Sequence, residues 1–342
     1  MGAWGDRGRR LRRAAALAVA VVALAGCIDR RLAREFTRVD ESLLTSPAMH
    51  VMLCGTGTGL ADPERAGTCV AILAGGLFVL FDVGPGAWEV VDLANLPLAH
   101  LDGVFVTKFL ADDIGDLGEA ITRSWIAGRE APLAIYGPTG TGRLVSALDE
   151  ISALDAATRL ARHDAAVLRP SGARAEPHEF ALDDAGAGLV FDRQGVRVIA
   201  FSVGRPDEPP SLGYRIDYRG RSVVIAGHAR NHPNVVRWAA GADILIHEAA
   251  SDPMLERGMH VMERVGQPRL ATFTREMLKN HATAVEAATA ARDARVDLLV
   301  LTHLVPPPQN WFYRRYFLRG VRAVFPHVVV GEEGMRFRLD PR

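Results

Sequence analysis

Val106-Thr107-Lys108-Phe109-Leu110-Ala111-Asp112-Asp113-Ile114-Gly115-Asp116-Leu117 joins two runs of different period. Gly103–Thr107 is short, apolar and β-branched and reads as a buried strand; Ile114–Gly128 carries apolar residues at helical spacing. The turn between them holds Lys108 and two adjacent carboxylates, Asp112 and Asp113. Upstream, His50–Cys54, Cys69–Ala74 and Leu77–Asp82 read as strands with Gly-rich separators, and Ala87–Leu96 as a helix. Downstream, Leu133–Tyr136 is a short strand and Thr141–Arg162 mostly helical, while residues 163–188, with Pro170 and Pro177, are the least regular stretch. The second half repeats this grammar. Val196–Val203, Tyr214–Tyr218 and Ser222–Ala226 are strands, followed by a helix at Pro233–Ala240 and a strand at Asp243–His247. Helices are expected at 253–265, 269–279 and 283–294, then a buried strand at Leu298–Thr302, a helix at Gln309–Leu318, and a closing hairpin at Val328–Leu339 turning at Glu333-Gly334. Two strand clusters, each followed by helix–strand alternation, predict an α/β protein of two packed sheets with helices outside. No linker interrupts residues 48–342, which are expected to form one domain.

The chain has 342 residues, with 40 Lys+Arg against 40 Asp+Glu. A neutral chain is a poor default nucleic-acid binder, because affinity for phosphate backbones comes from clustered basic residues; no nucleic-acid partner is expected. Hydrophobic residues at 49% and charged residues at 23% exclude wholesale disorder. Three cysteines without a CxxC pair exclude a disulfide-dense scaffold and a structural zinc knuckle. The N terminus reads as an address. RGRRLRR at 7–13, an apolar run from Ala14 to Ala25 and then Gly26-Cys27 match a secretory signal. The run falls short of the ~20 apolar residues of a membrane span. Leu24-Ala25-Gly26-Cys27 resembles a bacterial lipobox, so residues 1–27 are expected to be a lipoprotein signal with Cys27 as the lipidated residue, and 28–47 a short tether. That places the protein in the bacterial envelope, anchored to a membrane by lipid. In such a compartment Cys54 and Cys69 are either bridged or two small buried thiols.

Several loops at strand ends agree with the opening stretch: Leu53-Cys54-Gly55-Thr56-Gly57, Phe81-Asp82-Val83-Gly84, Gly213-Tyr214-Arg215, Ala226-Gly227-His228, Ile246-His247-Glu248 and Leu301-Thr302-His303-Leu304. In this order they resemble the metallo-β-lactamase superfamily, in the branch of ribonuclease Z and its phosphodiesterase- and arylsulfatase-like relatives, over about residues 48–340. The resemblance implies a four-layer αββα sandwich of two mixed sheets, a two-metal site along one edge, and hydrolysis of ester or phosphodiester bonds.

The metal positions depart from that pattern. The family's T-H-x-H-x-D-H falls on Thr107–Asp113, where the three histidine positions are Lys108, Leu110 and Asp113, and only Asp112 keeps its identity. The histidine before Gly-Tyr-Arg is Arg205, the bridging aspartate is His228, and the last histidine remains as His303. Lys and Arg have no free lone pair at neutral pH and Leu has no ligand atom, so the first metal's set is lost. Asp112, Asp113, His228 and His303 together suit a single Zn, Mn or Fe ion, with Lys108 and Arg205 supplying positive charge to a small anionic ester. The competing reading is a pseudoenzyme with no metal, in which Lys108 and Arg205 neutralise Asp112 and Asp113 and the cleft binds an anionic ligand or a protein partner. Asp112, His247 and His281 are the candidate catalytic groups, and the resemblance makes Asp82 a support for the metal loops. Trp311–Phe317 with its arginines is expected to pack its aromatic face on the sandwich, or else to wall the cleft or touch a membrane. Oligomeric state is not legible.

Overall fold

In the strand Met49–Gly55 (β1), Met49, Val51 and Leu53 enter one core while Met52 and Cys54 enter another. Side chains alternate between faces with a period of two, so a strand apolar throughout must be covered on both sides. The computed structural model describes residues 26–33, 39–183, 186–205 and 207–342. It divides into one unit ending at Asp40 and a second spanning Glu41–Arg342. In the first, residues 26–33 are helical and Cys27 is an exposed free thiol; the expected basic and apolar signal run at 1–25 lies outside the described residues. Among the described residues no helix is long and apolar enough to cross a membrane. The expected tether includes a short helix, Ser42–Thr45, whose Leu43 joins the core of the larger unit.

The larger unit is the expected αββα sandwich. Its remaining strands are Cys69–Ala74 (β2), Leu77–Phe81 (β3), Leu101–Phe105 (β4), Leu133–Gly137 (β5), Ala175–Glu179 (β6), Ala187–Arg193 (β7), Val196–Ser202 (β8), Leu212–Tyr218 (β9), Arg221–Ile225 (β10), Ile244–Ala250 (β11), Leu298–Val305 (β12), Val328–Val330 (β13) and Arg336–Leu339 (β14). They form two seven-stranded sheets, ordered β14-β1-β2-β3-β4-β5-β6 and β13-β12-β11-β10-β9-β8-β7. Both are mixed: β3 pairs β4 in parallel and β2 antiparallel, while β10 pairs β11 in parallel and β9 antiparallel. The core between them draws Phe81 and Phe105 from the first sheet and Val198, Tyr214 and Val300 from the second. Phe105 stacks on Phe81 and on Tyr136, with ring centroids 4.9 and 4.5 Å apart. Helices Ala87–Leu93 and Leu117–Ile126 cover the outer face of the first sheet. Helices Pro233–Trp238 and Ala284–Ala294 cover that of the second, the latter through a face of alanines that permits close approach.

Three expectations are corrected. Val328–Leu339 is not a hairpin: β13 joins β12 in parallel in the second sheet, and β14 pairs antiparallel with β1 in the first, so the closing segment straps the two sheets. The stretch 163–188 contains β6 and the start of β7; β6 is a half-exposed edge strand with Pro177 in it, a composition that hides a strand from an apolar-run reading. The expected helix at 114–128 is two helices, Ala111–Ile114 and Leu117–Ile126. The disulfide alternative is resolved, with Cys54 and Cys69 bridged where β1 bulges against β2.

Candidate active site at the shared edge of the two sheets

The site is built from strand ends. After β3, Asp82 takes a positive φ of 57°, and its carboxylate accepts the Thr107 N–H and the Thr107 Oγ1–H, each at 2.8 Å. Tyr214 of β9 donates to the Val106 carbonyl at 2.6 Å. The turn 107–113 is thus pinned from both sheets. Gly84 lies under it, where any side chain would collide with the Asp112 carbonyl oxygen. Across the cleft, β10 runs into His228, β11 delivers Glu248, β12 delivers His303 at a φ of 44°, and a capping box of Thr283 and Glu286 starts the helix that follows His281.

These groups interlock. His303 Nε2 lies 3.1 Å from Asp112 Oδ2, and His228 Nε2 lies 3.0 Å from Asp113 Oδ1. His281 Nδ1 lies 2.5 Å from Glu248 Oε2, while Glu248 Oε1 accepts the N–H groups of Arg230 at 2.9 Å and Ala282 at 3.3 Å. The ring of His303 sits 4.4 Å from that of His228 and 5.0 Å from that of His281, centroid to centroid. Two overlapping groups bring their ligand atoms within 4.8 Å of one another: His228, Glu248, His281 and His303, and Asp112, Asp113 and His228. The four residues expected as one ligand set are therefore divided between two groups that share His228.

Charge is unevenly held. Burial raises the Asp113 carboxyl to about 8, and the neighbouring Asp112 charge adds to this. For Asp112 burial also acts upward, but the contact with His303 outweighs it and holds the group at about 2. Glu248 is driven far down, because bonding and attraction to His281 overcome complete burial. His281 is raised, its desolvation overcome by the bond to Glu248. Burial lowers His228 and His303. Burial, and then Asp113, raise Asp82 well above the ordinary carboxyl range.

His228 and His281 line a cavity of about 980 Å³, together with Lys108, Leu110, Arg205 and Arg230, and with Phe273 and Met277 of the helix Pro268–Asn280. Glu248 and His303 are buried behind these imidazoles. The expectation that Lys108 and Arg205 neutralise Asp112 and Asp113 is not what the packing shows. Histidines occupy both carboxylates, and Arg205 is 59% exposed and sits 3.7 Å from Asp207 and from Glu208. His247 is placed apart from the cavity, buried, with its Nδ1 against the Glu248 carbonyl at 2.8 Å. Glu248, the hub, was underweighted by sequence reasoning. Its signal was the strand period: adjacent residues on β11 face opposite ways, so His247 and Glu248 cannot share one role.

The residues present fit an ion. The buried atoms His303 Nδ1 and Asp113 Oδ2 find no hydrogen-bond partner among the described residues, and imidazole with carboxylate is the donor set of zinc and related metals. Where the resemblance places the family's first metal, Lys108, Leu110 and Arg205 offer no ligand atom.

Sandwich, strand-end loops and site together define a metallo-β-lactamase fold. The metallo-β-lactamase fold protein YhfI from Bacillus subtilis matches with a TM-score of 0.60 at 17% identity, over 84% of this chain and 99% of that one. Human tRNase Z, short form, matches with a TM-score of 0.61 at 22% identity, over 86% and 100%. In sequence, the ribonuclease Z of Mycobacterium bovis (strain BCG / Pasteur 1173P2) is 31% identical over 297 residues, 86% of this chain and 99% of the relative. The chain belongs to the ribonuclease Z family. No family model matches it.

Proposed function

We propose that this chain is a hydrolase of anionic esters, phosphodiesters foremost, that works with at most one metal ion. The observation that carries this is the Glu248–His281 pair at the wall of a cavity lined by Lys108, Arg205 and Arg230. The bond to Glu248 raises His281 and so favours its protonated form, from which it can hand a proton to the departing oxygen as the ester bond breaks. The cations attract and orient the anionic group. Glu248 is already committed to three donors, whereas His303 and Asp113 keep unsatisfied atoms. His228, which both groups share, with His303 from one and Asp112 and Asp113 from the other, would hold the ion once the two groups draw together. When bound, such an ion lowers the pKa of a coordinated water to about 7 and so supplies the nucleophile. Relatives at 31% identity are named ribonuclease Z, so RNA, against the expectation from net charge, joins small anionic esters as a candidate substrate.

The test is metal content by mass spectrometry on protein purified without chelator, beside turnover of bis(p-nitrophenyl) phosphate and of a short RNA. About one ion per chain is expected, lost in His303→Ala. His281→Ala should keep the ion and lose turnover; loss of the ion there would instead make His281 a ligand in the His228–Glu248–His303 group. No metal after loading and no turnover would hand the cleft to the second reading, a ligand-binding pseudoenzyme, which the three ligand-free positions favour.

We further propose that Cys27 is lipid-anchored and the protein faces an oxidising compartment. The support is the Cys54–Cys69 bridge, since disulfides persist in such compartments. Incorporation of labelled palmitate that survives Cys27→Ser would overturn it.

A further inference from the structure

The helix Trp311–Phe317 buries one end and leaves the other bare. Phe317 and Leu318 enter the outer core of the second sheet beside Val321 and Phe325. Trp311, Phe312 and Tyr313 are 76%, 60% and 45% exposed. The expectation that this helix packs its aromatic face on the sandwich therefore holds for Phe317 alone. Asn310 fixes the exposed turn, its side chain accepting the N–H groups of Phe312 at 3.0 Å and Tyr313 at 3.1 Å. The three rings lean on one another, Trp311 to Phe312 at 6.1 Å and Phe312 to Tyr313 at 5.9 Å, both edge to face. Trp311 and Phe312 share a groove with Arg315, Arg319 and Arg322. From Gln309 to Gly331 the chain has four arginines and no carboxylate, within a protein of zero net charge. Glu332, next in sequence, pairs with Arg314, and on that side Trp311 also shares a pocket with Glu64 and Glu333; on the other side Arg315, Arg319 and Arg322 stand beside the rings. Scattered exposed apolar residues need no explanation, but a contiguous aromatic patch with a basic flank does.

We propose that this surface docks on an anionic phospholipid surface, with Trp311, Phe312 and Tyr313 entering the headgroup region and Arg315, Arg319 and Arg322 facing the lipid phosphates. Amphipathic rings settle at the membrane–water boundary, and clustered basic residues are drawn to anionic headgroups. Arg315, Arg319 and Arg322, on the flank away from Glu332 and Glu333, supply the charge complementarity that selects that partner. RNA is the less suited occupant, because consecutive rings packed edge to face on one helical turn do not offer parallel faces for successive bases. The surface also has a route to the catalytic cleft. Its helix packs on the helix Asp252–Arg264, which packs on Pro268–Asn280, whose Phe273 and Met277 line the cavity.

The full chain carries an apolar run at 14–25, so bulk vesicle binding is not the readout; the environment of Trp311 is. The Trp311 signal is the difference between the emission of the full chain and that of Trp311→Phe, with vesicles of phosphatidylglycerol and phosphatidylcholine or of phosphatidylcholine alone. On the anionic vesicles the difference signal should shift to shorter wavelength and be quenched by brominated lipid. Both changes should be lost with phosphatidylcholine alone, in high salt, and in Arg315→Glu/Arg319→Glu, while circular dichroism and melting stay as in the parent. A Trp311 signal unmoved by anionic vesicles while the protein is bound to them overturns the proposal. So does a signal quenched by a single-stranded RNA but not by vesicles, which would make the patch a nucleic-acid surface.

Discussion

The two walls of the cleft come from different sheets and hold their charges differently. The wall on the first sheet, the turn after β4, carries Lys108, Leu110, Asp112 and Asp113 and no imidazole. The wall on the second carries His228, Glu248, His281 and His303, tied to one another and to backbone N–H groups. One oxygen of each first-wall carboxylate meets a histidine reaching across, whereas on the second wall Glu248 finds its partners in His281 and backbone N–H groups of that same wall. The positions that depart from the family's ligand pattern fall on both walls, Lys108, Leu110 and Asp113 on the first and Arg205 and His228 on the second, and the second sheet alone supplies the Glu248–His281 pair.

Removing the hub should give the largest effect. Glu248→Ala strips the partner from His281 and from the N–H groups of Arg230 and Ala282, all in a buried setting. Breaking a buried charged pair from one side costs about 3–5 kcal/mol, read as a lower urea midpoint with unchanged slope. Asp112→Ala, whose side chain is 18% exposed, should cost clearly less; equal losses would break the contrast between the walls. The first sheet is instead held covalently. Cys54→Ser/Cys69→Ser opens a loop of sequence separation 15, for which the chain-entropy account gives about 3 kcal/mol. A loss confined to the oxidised parent, and absent when parent and variant are compared in reductant, would confirm that origin.

A smaller, pH-dependent effect separates the two aspartates. Asp113 titrates near 8 in the fold against 3.8 when free. The folded chain thus keeps a proton the unfolded chain has lost, and the stability of metal-free protein should fall as pH rises from about 4 towards 8. Asp112, held at about 2, works in the opposite sense: its contribution is present above about pH 4 and is lost as pH falls through 2. Asp113→Asn should flatten the decline between about pH 5 and 8 without touching the acid limb. A slope unchanged by that substitution would show that Asp113 is not the group responsible.

How much of this was legible depends on whether one run of residues carried it. β2, with Cys69–Ala74 buried on both faces, and the alanine face of Ala284–Ala294 announce themselves in period and composition. The residues Asp112, Asp113, His228, His281 and His303 were legible as chemistry because strand-end loops place them in order. What was not legible is long-range. β6 lies at a polar edge, and β13 and β14 part to different sheets although their residues are close in sequence. The tie between His281 and Glu248 spans 33 positions. Partner choice at a site, whether His303 or Lys108 faces Asp112, is set by packing that no local pattern encodes.

Lys108 gives the smallest and sharpest test of the contrast. It lines the cavity, half-buried, and among the described residues no carboxylate lies within 4.0 Å of it in an ion pair. Its field lowers the titration of Asp113 and of His281 only as a secondary influence, behind burial in both cases. If the first wall's carboxylates are truly served by His228 and His303, Lys108→Ala should change stability by no more than about 0.5 kcal/mol. It should instead raise KM for an anionic ester by up to about tenfold at low salt, with kcat little changed, because a cation at a cavity wall acts mainly on capture. A loss of several kcal/mol would mean that Lys108 neutralises Asp112 and Asp113 after all. The first wall would then be a repaired scar, and the asymmetry between the sheets would be one of chemistry only.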